Sequence, residues 1–73
     1  MDIDIRRHII NNFREDDVVT LRNAIEESIK EKDEIALPGM GVFLEIIWED
    51  APEELKQEML NIIHNRIKKE PSN

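Results

Sequence analysis

Apolar residues recur at helical spacing in four stretches of this chain, separated by polar or proline-containing breaks. In the first stretch Ile5, Ile9, Ile10 and Phe13 make one apolar face opposite Arg6, Arg7 and Asn11. Asp2 or Asp4 can accept from the free backbone N–H groups at its start. The polar run Arg14-Glu15-Asp16-Asp17 ends it and offers Asp16 or Asp17 as the next cap. Val18, Leu21, Ile25 and Ile29 then form a stripe with Ala24 and Ser28 beside it, predicting a helix over Val18–Lys32. Lys30 and Lys32 lie where the negative end of that helix dipole favours cations.

The third stretch follows Leu37-Pro38-Gly39 and holds both glycines, the only tryptophan and the densest apolar run. Val42 to Trp48 is rich in β-branched and aromatic residues, which suits a short strand. Strict alternation is missing, however, and Val42/Ile46, Phe43/Ile47 and Leu44/Trp48 each sit four apart. A short, heavily buried helix with Pro38 near its first turn is the preferred reading. Gly39-Met40-Gly41 reads as a tight turn with close backbone packing. Asp50-Ala51-Pro52-Glu53 predicts a capped start for the fourth helix, whose core face is Leu55, Met59, Ile62, Ile63 and Ile67. The expected architecture is therefore all-α. It is a small compact bundle of about four helices in one domain, residues 1–70, with 71–73 a disordered tail.

Seventy-three residues leave no room for a second core. A domain this short buries only roughly 60% of the surface its unfolded chain exposes. Small domains often compensate with disulfides, metals or oligomerisation. The absence of cysteine removes the first and all thiolate chemistry, which leaves dimerisation open. Seventeen acidic against ten basic residues give a formal charge of −7, which opposes nonspecific adhesion to nucleic acid or anionic lipid. The acidic opening Met1-Asp2-Ile3-Asp4 lacks a basic signal-peptide region, and no apolar run approaches the ~20 residues that span a bilayer. A soluble, cytoplasmic protein without membrane contact is expected.

Catalytic and ligand chemistry finds little to build on. His8 and His64, even with Asp4 or Glu58, have no metal-motif spacing. The carboxylates sit mostly at helix starts and on polar faces, Ser28 has no neighbouring base, and Ser72 lies in the tail. Gly39-Met40-Gly41 lacks the third glycine of a dinucleotide fingerprint and the Lys-Ser/Thr of a P-loop. No catalytic residue, metal or cofactor is expected. Two candidate surfaces remain. Phe43, Ile47 and Trp48 are a candidate partner interface. Arg6, Arg7, Arg66, Lys68 and Lys69 could contact phosphates if folding brought them together.

The run Leu37-Pro38-Gly39-Met40-Gly41-Val42-Phe43-Leu44-Glu45-Ile46-Ile47-Trp48 resembles the central block of the small acid-soluble spore protein I family of endospore-forming bacteria. Glu54 to Leu60, the opening Met1 to Arg6, and Ala24-Ile25 with Ser28-Ile29 resemble other segments of that family, so the likeness spans nearly the whole chain. The resemblance implies a noncatalytic minor protein made in the forespore during sporulation and retained in the spore core. It implies no enzymatic site. It does not bring in the DNA-coating chemistry of the major spore proteins, whose glycine-containing signatures this chain lacks. A fainter similarity, over Ile25 to Phe43, is to histone-like DNA-bending proteins, which place a Gly-x-Gly β-hairpin after two helices. The basic arms that grip DNA have no counterpart. The leading expectation is a structural or binding component of the spore core whose partner is a second copy or another spore protein. The alternative is a small nucleic-acid-associated module.

Overall fold

The computed structural model describes residues 4–32 and 34–71. Four α-helices follow in order, α1 (Ile5–Phe13), α2 (Val18–Glu31), α3 (Leu37–Asp50) and α4 (Glu53–Lys69), with a single 3₁₀ turn at Glu34–Ala36. There is no strand among the described residues, so the chain is all-α. The cap expected on Asp2, and residues 72–73 of the expected disordered tail, lie outside the described residues.

The first two helices begin as local chemistry dictates. The Arg7 backbone N–H donates to Asp4 Oδ1 at 3.0 Å and the Thr20 N–H donates to Asp17 Oδ1 at 2.8 Å, each satisfying a donor the helix leaves free. Lys32 ends α2 in the left-handed conformation, φ 53°, ψ 36°. The Ser28 hydroxyl donates to the Ala24 carbonyl one turn back, at 2.9 Å, so this polar side chain sits on an apolar face without an unmet donor.

The central stretch is a helix, and a longer one than its sequence pattern suggested. It begins at Leu37, with Pro38 in the first turn where a missing N–H costs nothing. Gly39-Met40-Gly41 therefore lies inside α3 and makes no tight turn; neither glycine has positive φ. The Gly-x-Gly hairpin of the histone-like proteins has no counterpart there for the same reason. Close packing does hold at one glycine. A Cβ on Gly39 would stand 3.4 Å from the Ile9 Cδ1 of α1, whereas one on Gly41 would meet open space. Asp50 does not cap α4, because α3 continues through it. Extended Ala51 and Pro52 form the link, and Pro52 takes the N-cap position without a side-chain hydrogen bond.

The core lies between α1 and α3, with α2 closing one side. Val42 is the buried residue there, 5% exposed. Phe13 meets Phe43 edge to face with ring centroids 5.2 Å apart, a favoured aromatic geometry. Ala24 and Ser28 of α2 border the same cluster beside Ile9 and Met40. The inward stripe of α2 is thus Leu21, Ala24, Ile25 and Ser28; Val18 and Ile29, expected inside, are exposed. On the α1 side, Arg6 grips Glu45 of α3 through two charge-assisted bonds, Nε to Oε1 at 2.7 Å and Nη2 to Oε2 at 2.9 Å. Both partners face solvent, so this pair sets how the two helices cross more than it stabilises them.

Much apolar surface stays outside this core. The chain exposes 6860 Å², where a folded monomer of 8.6 kDa exposes about 4,700 Å². Its radius of gyration is 14.2 Å against about 11 Å for a typical domain of this length. The heavy burial expected for Val42 to Trp48 therefore holds at Val42 alone, with Trp48 37% exposed. The intended core face of α4 also fails to close: Met59 is half-buried, while Leu55, Ile62, Ile63 and Ile67 are exposed. After extended Ala51 and Pro52, α4 brings Ile63 across from Leu44 and Trp48 with a shallow groove between, so its apolar side is not closed against α3.

Candidate functional site

The most organised exposed feature is the apolar surface shared by α3 and α4. Helix α3 is apolar on nearly all sides, a pattern proper to a helix covered all round. One side, through Gly39, Val42 and Phe43, is covered by α1. The other side carries Leu37, Leu44, Ile47 and Trp48, all exposed. Glu45 and Glu49 edge a shallow groove there, with Leu44 and Trp48 as its floor and Ile63 of α4 as its far wall. The Lys56 ammonium sits 5.4 Å from the Trp48 ring centroid, a cation–π contact that orients the indole where the two helices join.

The three residues of the expected partner interface divide between the two sides of α3. Phe43 points into the core against Phe13, while Ile47 and Trp48 remain at the surface. Sequence reasoning did not single out Leu44, Ile62, Ile63 and Ile67 as surface residues. The available signal was the all-round apolarity of α3, which demands more cover than one chain of this size supplies.

The basic residues are tied to acids of their own chain at three of the five positions. Arg6 is held by Glu45, Arg7 Nε lies 3.7 Å from Asp4, and Arg66 Nε donates to Glu70 at 2.9 Å. Lys68 and Lys69 are exposed in the last turn of α4. Arg6 and Arg7 instead share a surface hollow with Asp4, Asn11 and Arg14. The Arg6 hydrogen bonds hold the Glu45 carboxyl below its ordinary range. The Thr20 backbone N–H does the same for Asp17. His8 lies 3.4 Å from the Asn12 amide within its own helix. No cluster of three or more metal-ligating side chains occurs among the described residues, and none of their helices is long and apolar enough to cross a membrane.

Comparison with known proteins gives this helical chain relatives. No solved structure matches it. Small, acid-soluble spore protein I of Bacillus subtilis is 35% identical over 68 residues, covering 93% of this chain and 96% of that protein. The Geobacillus kaustophilus protein of the same name is also 35% identical and is covered to 99% of its length. That of Bacillus mycoides is 33% identical over 69 residues and is covered completely. The family model described as "Small, acid-soluble spore protein I" matches residues 3–67, which include α1, α2, α3 and most of α4. This chain belongs to the small, acid-soluble spore protein I family.

Proposed function

We propose that this chain is a noncatalytic component of the spore core, made in the forespore during sporulation and acting through protein contacts. The observation that carries this reading is the apolar side of α3 and α4. Exposed leucine, isoleucine and tryptophan side chains there form a continuous face rimmed by charge, the anatomy of a contact surface. Family membership supports the spore setting. Fluorescent fusion of the full chain, expressed from its own promoter in a sporulating host, tests it. Signal confined to the forespore and retained in the mature spore is expected. Signal in the mother cell, or in vegetative cells only, would overturn the reading.

Phosphate binding through Arg6, Arg7, Arg66, Lys68 and Lys69 is the competing reading. Acid pairing at Arg6, Arg7 and Arg66 and the net charge of −7 weigh against it. A duplex-DNA titration separates the two. Binding that weakens steeply with salt and is lost on reversing Lys68 and Lys69 would favour the phosphate reading.

A further inference from the structure

We infer that α4 is a hinged strap, swinging about Ala51 and Pro52 between the open position described above and one closed flat on α3. The swing belongs to the isolated chain. Only its consequence, that closure hides the contact face, rests on the reading of that face as the working surface.

The first argument is register. Across a two-residue link, residues at equal distances from it meet when the helices fold together, because both rise about 1.5 Å per residue. Trp48 and Lys56, each four residues from Pro52, already make that match: the Lys56 ammonium lies 5.4 Å from the indole centroid. Farther out, Leu44 is matched by Leu60, Gly41 by Ile63 and Leu37 by Ile67. Positions 37, 41, 44 and 48 share one stripe of α3, and 56, 60, 63 and 67 share one stripe of α4. All six residues beyond the hinge pair are exposed. Lys56, at the hinge, is the one charged residue on either stripe. Helix α1 covers a different side of α3, through Gly39, Val42 and Phe43, so closure leaves the core in place.

The second argument is Gly41. A glycine inside a helix is costly in backbone entropy, and a close approach by a neighbour is the usual offset. In the open position nothing lies within 4 Å of where its Cβ would stand. Closure supplies the neighbour. Ile63, a broad β-branched side chain, comes down on the one position of the α3 stripe that has no side chain. The groove shows α4 short of that point, since Ile63 faces Leu44 and Trp48, nearer the link than its match. That offset is proper to two arms set at an angle, and it vanishes as they close. Leu44 and Trp48 are then covered. Val18 lies on α2 and Ile62 on another side of α4, so both stay exposed.

Disulfide trapping of the full chain tests this, since the sequence has no cysteine of its own. Leu37→Cys with Ile67→Cys places two thiols at the matched outer ends, and a bridge requires their Cα atoms to come within about 7 Å. Leu37→Cys with Ile62→Cys is the control, closer along the chain but off the stripe. Under oxidised glutathione at low protein concentration, the first pair should form an intramolecular disulfide at least about tenfold faster than the second. Adding Gly41→Gln to the first pair should slow trapping at least about fivefold, because the new amide would be buried under Ile63. All these positions are exposed in the open form, so helix content by circular dichroism should not change. Equal rates for the two pairs would overturn the proposal. So would bridges formed only between molecules, or a rate that Gly41→Gln leaves unchanged. None of these results bears on forespore localisation, so the two readings fail separately.

Discussion

The two sides of α3 carry much the same kind of side chain and have different fates. Toward α1, Val42 is buried, Phe43 meets Phe13, and Ile9 lies against Gly39. Toward α4, Leu44, Ile47 and Trp48 remain in solvent, although the helix that follows is equally rich in isoleucine. Helices α1 and α3 pack closely, and Arg6 and Glu45 fix their crossing. Helix α4 brings Ile63 opposite Leu44 and Trp48 but leaves a shallow groove between the two helices. An apolar stripe is core only when something can reach it.

The most damaging change should be Val42→Asp, which sets a carboxylate at the buried point of the α1 side. About 3 kcal/mol of stability should be lost, read as the shift of a urea midpoint followed by circular dichroism. A near-neutral result would erase the distinction between the two sides.

A paired measurement comes next. Phe43→Ala should cost about 2 kcal/mol, since it removes a half-buried ring and its edge-to-face partner. Trp48→Ala should cost about 1 kcal/mol or less in dilute protein, where one face of the ring is already wet. Had the ring been fully buried, the expected loss would have been about 3–5 kcal/mol. A larger loss at Trp48 than at Phe43 under dilute conditions would reverse the assignment of core and surface.

Smaller effects resolve the glycines. Gly41→Ala should stabilise the chain by about 0.5–1 kcal/mol, because it removes backbone freedom inside a helix and the new methyl meets nothing. Gly39→Ala should gain a similar amount, since its methyl would make ordinary contact with the flexible Ile9 Cδ1 at 3.4 Å. A marked loss there would show that α1 packs closer on α3 than described.

The smallest expected effect is acid dependence. The carboxyls of Glu45 and Asp17 are held below their ordinary values of 4.5 and 3.8 in the folded chain. Their contribution is therefore present above those values and is lost as pH falls through the lower, folded ones. A stability–pH profile should decline at the acid end, and Arg6→Gln should flatten the part belonging to Glu45. Because both groups are exposed, the change should be slight and should shrink further in high salt.

Helix existence and most helix boundaries were legible in the sequence because periodicity, caps and the Asp50–Glu53 break act over a few residues. The start and end of α1 and the start of α2 fall where the stripe and the aspartate caps place them. The family was legible too, in the block from Leu37 to Trp48. Two features misled at short range. Gly39 and Gly41 look like turn residues but are carried inside α3, since a helix begun at Leu37 and Pro38 gains more from continuing than two glycines cost it. Asp50 looks like a cap, yet it is the last turn of the preceding helix.

What the sequence by itself determined was the set of helices, their amphipathic or all-round apolar character, and the ancestry that these residues record. Which apolar face becomes core was decided only in three dimensions. Periodicity gives every stripe the same propensity for burial, and says nothing of whether another helix can be brought against it. Val42 is buried beside α1, while Ile62 and Ile67 stay exposed among the described residues. The small size of the domain makes that choice, because it limits how many faces a chain of four short helices can cover at once.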